Sequence, residues 1–166
     1  MNIEKIYFGT QDNARLVGLL HKGNKTDKVI ISVHGMTSDC LKRRDDIIAK
    51  TMTDNNIDFF SFNNRGHDVI SYLTKEMQEI SAKQRAGTAY EDVQDSYFDI
   101  KAAIDEMIQN GYKEIYLQGH SLGCTKIVYT YNKFKSKKED KYLDKIKAIM
   151  LLSLVDIPRA QKVNLG

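Results

Sequence analysis

Lys28 to Val33, KVIISV, is a run of β-branched residues broken only by Ser32. A strand with one face in water alternates apolar and polar residues, so a continuous run reads as a strand covered on both faces. Covered strands of this kind belong to parallel sheets with helices above and below. The next segments fit that reading. Leu41 to Asp54 sets Leu41, Ile47, Ile48 and Met52 among charges in a helical stripe, and Ile57 to Phe62, IDFFSF, returns to strand character. Strand, helix, strand implies a right-handed crossover within one parallel sheet.

The alternation continues downstream. Tyr90 to Asn110 carries Val93, Tyr97, Ile100, Ile104 and Ile108 at helical steps, with Gly111 as the stop signal at C′. Glu114 to Gln118 reads as a short strand, Leu122 to Phe134 as a helix, and Lys147 to Leu154, KAIMLLSL, as another buried strand. Upstream, Ile3 to Phe8 and Arg15 to His21 flank the turn-forming GTQDN and read as an antiparallel hairpin. Asn63 to Tyr90 is polar and weakly periodic, so it reads as loop over the sheet edge with a short helix around Leu73 to Ile80. Lys133 to Lys147 mixes both charge signs and reads as a solvated helix end and loop. The expected architecture is a single domain over 1–166: a three-layer αβα sandwich whose sheet is mostly parallel with an antiparallel N-terminal hairpin.

Composition excludes several classes. A chain of 166 residues needs no metal or disulfide staple to build a core. With 25 Lys+Arg against 22 Asp+Glu, there is no electrostatic footprint for nucleic acid. Cys40 and Cys124 stand in no metal-ligand spacing, so no metal site is expected. The longest apolar run, Ala148 to Val155, is far short of the ~18 residues a membrane span needs, and the N-terminus lacks a signal-peptide core. The expected setting is cytoplasmic, with no nucleic-acid or membrane partner.

Between the strand EIYLQ and its following helix lies Gly119-His120-Ser121-Leu122-Gly123, a G-x-S-x-G pattern in strand–turn–helix context. The spacing has a steric reason. A nucleophile on a tight, strained turn needs residues without bulk two before and two after it, so that strand and helix can approach. Such a turn lifts the Ser121 hydroxyl above the C-terminal ends of the parallel strands, where open α/β sheets bind ligands, and sets it at a helix N-terminus that favours developing negative charge. A second element, His34-Gly35-Met36, directly follows the strand KVIISV. There the backbone N–H of Met36, together with that of Leu122, is placed to hold the oxyanion of a tetrahedral intermediate.

Taken together, VHGMTSD (Val33 to Asp39), FNNRGHD (Phe62 to Asp68), AGTAYEDVQD (Ala86 to Asp95), LQGHSLG (Leu117 to Gly123) and LLSLVD (Leu151 to Asp156) resemble the successive landmarks of the α/β-hydrolase superfamily. Within it the chain looks most like small cytoplasmic esterases of the feruloyl-esterase and siderophore-esterase type. The resemblance implies a serine hydrolase without cofactor, acting on a carboxylic ester or related acyl compound. Ser121 would be nucleophile, with Met36 and Leu122 giving the oxyanion N–H groups and Gly119, His120, Gly123, His34 and Gly35 in support.

The family's triad runs Ser, then Asp or Glu, then His. All four histidines, His21, His34, His67 and His120, precede Ser121, so no residue here takes the family's base position. The chain after Ser121 is also too short for two further strand–helix units of about 30 residues each. The expectation is therefore the N-terminal, nucleophile-bearing part of a longer domain, lacking the last strands. By itself it would be nearly inactive, since loss of the base can cost about a millionfold. Asp156 is a possible acid, because in a minority of such hydrolases the acid follows this strand; a turn residue before Pro158 is the plainer role. His34 is expected to brace the oxyanion loop, His120 to face away from the nucleophile as a packed residue, and Arg65 to anchor its loop. His67 and Asp68, as sequence neighbours, are not expected to face each other. Without later strands Lys147 to Leu154 would be an open sheet edge, so self-association is expected. A non-catalytic module using the same elbow to bind a small ligand or partner is the alternative.

Overall fold

A computed structural model describes residues 1–77 and 80–154. Eight strands form one sheet in the order β6-β5-β2-β4-β3-β7-β8, with β1 paired to β2. β1 (Asn2–Gly9) and β2 (Ala14–Lys22) form the N-terminal hairpin. Its turn is held by Thr10, whose hydroxyl donates to Asp12 and accepts the Ala14 N–H.

β3 (Lys28–Val33), β4 (Asp58–Asn63), β7 (Glu114–His120) and β8 (Ile146–Leu152) run parallel to one another, as the unbroken apolar runs require. On one face Val29, Ile31, Val33, Phe60, Phe62, Ile115 and Leu117 join the main core beneath α2 (Ser96–Gln109) and α3 (Leu122–Ser136). On the other, Ile30 and Phe59 meet Ala49 of α1 (Arg43–Asp54). The αβα sandwich of the sequence reading is thus present. Phe59, Phe60 and Phe62 are all fully buried, each stabilising the fold by roughly 1.5–3 kcal/mol.

Four local expectations are corrected. The stretch expected to be loop with a helix around Leu73 to Ile80 is a second antiparallel hairpin, β5 (Ser71–Met77) and β6 (Ile80–Ala86). It extends the sheet by pairing Ala14 and Arg15 of β2 with Lys75 and Thr74. The sheet therefore holds more antiparallel pairing than the N-terminal hairpin alone provides. The helix expected from Tyr90 begins only at Ser96; before it lie two short 3-10 turns, the second capped by the Asp92 carboxylate accepting the Gln94 N–H. Its end is as expected, with Gly111 in the left-handed region at φ 95°. Lys133 to Lys147 is not wholly solvated. It contains α4 (Asp140–Leu143), whose Tyr142 is buried and stacked on Phe134 at 4.8 Å. Finally, Lys147 to Leu154 is not a buried strand: β8 pairs only with β7 among the described residues, at the edge position the sequence reading expected, and Leu151 and Leu152 are exposed.

No helix among the described residues is long and apolar enough to cross a membrane.

Candidate active site

Ser121 stands alone between the end of β7 and the first residue of α3, with φ 53° and ψ −124°, a conformation that side chains normally avoid. Its N–H donates to the Leu152 carbonyl of β8 at 2.9 Å, and its own carbonyl accepts from Cys124 N–H at 2.9 Å. The two glycines of the motif make the approach possible. A Cβ on Gly123 would lie 2.1 Å from the Val33 carbonyl oxygen, and one on Gly119 would lie 2.7 Å from the Cys124 nitrogen. Both obstacles are backbone, so no side chain can be accommodated by a rotamer change. The steric reason for the spacing is met atom by atom.

The loop after β3 closes on this turn. A Cβ on Gly35 would meet the His120 carbonyl at 2.8 Å, Ser121 Cβ at 3.0 Å and the Leu122 nitrogen at 3.3 Å. Gly35 therefore approaches Ser121 and the Leu122 nitrogen too closely for any side chain to fit between them. Neither Leu122 N–H nor Met36 N–H hydrogen-bonds to another described residue. The loop is fastened beyond them: Thr37 N–H donates to Thr88 Oγ1 at 2.8 Å, Thr88 Oγ1 donates to the Gly66 carbonyl at 3.0 Å, and Asp68 N–H donates to the Ser38 carbonyl at 3.1 Å.

His34 is buried, with Nδ1 2.9 Å from the Gly35 carbonyl and Nε2 accepting the Asn64 N–H at 3.2 Å. Those bonds require the neutral ring, with its proton on Nδ1. Burial, with the Lys126 charge opposing protonation further, holds its pKa down to about 4. The ring braces the loop, as expected from the sequence. Asn64 continues the chain of contacts: its Oδ1 accepts from Gly66 N–H at 3.0 Å and from Lys126 Nζ at 3.1 Å. Lys126 lies on α3, fully buried, and pairs with Glu91, whose side chain is itself buried. Burial lowers the Lys126 pKa, and the Glu91 carboxylate opposes that shift. The loop after β3, the loop after β4 and α3 are thus tied together through one buried polar chain.

Arg65 anchors its loop. Its side chain bonds Asp99 at 2.7 Å and Asp12 at 3.0 Å, and reaches Asp95 at 3.2 Å. Burial opposes the guanidinium charge, but Asp99 and Asp12 outweigh it and raise the pKa above its ordinary value. Two expectations about histidines are corrected. His67 and Asp68 do face each other, Nδ1 to Oδ2 at 2.9 Å, because Asp68 at φ 59° turns its carboxylate back. His120 does not face away: it lines the same pocket as Ser121. Its pKa is lowered by burial first and by the Arg44 charge second. Asp156 lies outside the described residues. Asn64, Glu91, Thr88 and Lys126 were not foreseen as site residues. Asn64 and Thr88 lie in stretches whose landmark status was the only available signal.

The pocket at Ser121 has a volume of about 470 Å³ and is lined by Gly35, Met36 and Ser38 on one side and by Lys42, Arg43 and Arg44 on the other. Among the described residues no cluster of His, Cys, Asp and Glu could hold a metal ion.

A strained serine between a parallel strand and a helix, facing a glycine-bearing loop from the neighbouring strand, defines an α/β hydrolase. The chain belongs to the serine aminopeptidase S33 family, which it matches over residues 24–153. Similar solved structures include an esterase of Pyrococcus furiosus, with TM-score 0.60 and 22% identity over 81% of this chain and 47% of the other. Est1E of Butyrivibrio proteoclasticus, solved with ferulic acid bound, gives 0.62 and 19% over 87% and 50%. The α/β hydrolase GrgF of Penicillium sp. sh18 gives 0.69 and 16% over 99% and 52%. The chain spans about half the length of these proteins. No curated protein matches its sequence.

Proposed function

We propose that this protein is a serine hydrolase of carboxylic esters or related acyl compounds. Ser121 Oγ attacks the acyl carbon, the carbonyl oxygen becomes an oxyanion held by the Met36 and Leu122 N–H groups, and collapse expels the alcohol to leave an acyl-serine that water then cleaves. Each such N–H is worth roughly 3–4 kcal/mol at the transition state. The observation that carries the reading is the close approach of Gly35 to both Ser121 and the Leu122 nitrogen, with no room for a side chain, beside N–H groups that bond to no other described residue. The family's description and the esterase neighbours support it, since a serine aminopeptidase and an esterase both transfer acyl groups. Feruloyl-type esters are one candidate class.

The proton of Ser121 must go to a base, and no described histidine hydrogen-bonds the Ser121 hydroxyl. His34 uses both ring nitrogens in bracing, and His67 is engaged by Asp68. This chain alone is accordingly expected to turn over esters very slowly. Two buried, unpaired cysteines accord with a cytoplasmic setting.

The test is labelling by an organophosphonate followed by intact-mass analysis. Ser121 should be labelled in the native polypeptide, and labelling should be lost after Ser121→Ala. Absence of labelling in the native polypeptide, combined with tight ester binding, would instead make the elbow a non-catalytic ligand site.

A further inference from the structure

We propose that the substrate carries an anionic group, a carboxylate or a phosphate, seated in the pocket beside Ser121 against Lys42, Arg43 and Arg44. This rests on the reading of Ser121 as nucleophile. Three consecutive basic residues line that pocket, and no Asp or Glu does.

Their counter-charges approach from behind. Lys42 Nζ lies 2.9 Å from Asp39 and Arg44 Nη2 lies 3.0 Å from Asp45, but Asp45 is buried and Asp39 is largely covered, and neither lines the pocket. Arg43 forms no ion pair among the described residues and is exposed. Arg44 is committed to Asp45, whose oxygen accepts from its Nε at 3.0 Å, and its Nη2 is buried, so its contribution at the pocket is its charge. The Arg44 charge is felt beside the nucleophile, where it contributes to keeping His120 neutral.

A neutral acyl substrate has no use for three basic residues at the mouth of its site, one of them without an ion pair among the described residues. An acid-tailed ester uses them twice, for orientation and for discrimination against neutral esters. Arg43 can offer a planar fork to either a carboxylate or a phosphate.

Binding is measurable without turnover. The isotope-labelled chain is titrated with glutarate, inorganic phosphate and the neutral glutaramide while backbone amide resonances are followed. Saturable shifts at Gly35, Met36, Ser121 and Leu122 are expected from an anion, with glutaramide at least about tenfold weaker. Arg43→Ala and Lys42→Gln, both at exposed positions, should each weaken anion binding about fivefold. They carry the test because Arg44→Ala strips the partner from buried Asp45 and threatens folding. Tighter binding of phosphate than of glutarate assigns a phosphate tail, and the reverse a carboxylate tail. Equal binding of glutaramide, shifts mapping elsewhere, or no loss in Arg43→Ala overturns the proposal. Phosphonate labelling of Ser121 in the native polypeptide separates the two failures. Labelling without anion binding overturns only the anionic substrate, whereas anion binding without labelling overturns the nucleophile reading and the substrate claim with it.

Discussion

The charges behind Ser121 and those in front of it are arranged in opposite ways. Behind, Lys126 is fully buried and held by Glu91 and Asn64, while Arg65 is saturated by Asp12, Asp95 and Asp99. In front, Lys42 and Arg43 are exposed and incompletely neutralised. A buried ion is tolerated only when it is paired, so the rear cluster fixes the position of the loop after β4 and of α3. An exposed one costs little and remains available to a ligand. The difference separates residues that set geometry from residues that select what enters.

The comparison predicts unequal penalties. Lys126→Met leaves the Glu91 carboxylate buried without its cation and should lower unfolding free energy by about 3–5 kcal/mol in urea titrations. A cost below about 1 kcal/mol would mean the rear cluster is not the fixed side. Replacing both partners, Lys126→Met with Glu91→Leu, should recover much of the loss.

The next effect is one of pH. His34 has a folded-state pKa of about 4, below its unfolded value of 6.5, so the unfolded chain binds the extra proton first. The stability it protects is fully present above about pH 6.5 and falls by about 3 kcal/mol as pH drops to about 4. His34→Gln should flatten that part of the stability-against-pH curve; an unchanged slope would show the ring is not held neutral.

Gly123→Ala pushes a methyl against the Val33 carbonyl and should cost about 1–3 kcal/mol, while slowing phosphonate labelling of Ser121 in the native polypeptide. Smallest of all, Lys42→Ala should change stability by no more than about 0.5 kcal/mol. A loss matching that of Lys126→Met would erase the contrast between front and rear.

The same division governs what could be read in the sequence. The parallel strands were legible because KVIISV and IDFFSF are covered on both faces and say so in composition, and the elbow because its glycines answer a backbone constraint. The β5–β6 hairpin was not: SYLTKEM and ISAKQRA mix polar and charged residues with no clean alternation, since the second of these is an edge strand facing mostly water. Lys126 was illegible for a different reason. A lysine on an amphipathic helix ordinarily reaches solvent, and only the arrival of Glu91 from a segment 35 residues earlier makes burial affordable. His120 was misread because it was assumed to pack away from the serine, whereas the mouth of the pocket is open enough to admit it.

The Leu152 carbonyl at the end of β8 receives both the Ser121 N–H and, at 3.2 Å, the Cys124 thiol. The turn that carries Ser121 is thereby tethered to an edge strand whose outer side pairs with nothing among the described residues. The backbone of Ser121 is thus set by the register of β8 against β7 as well as by its own strand and helix.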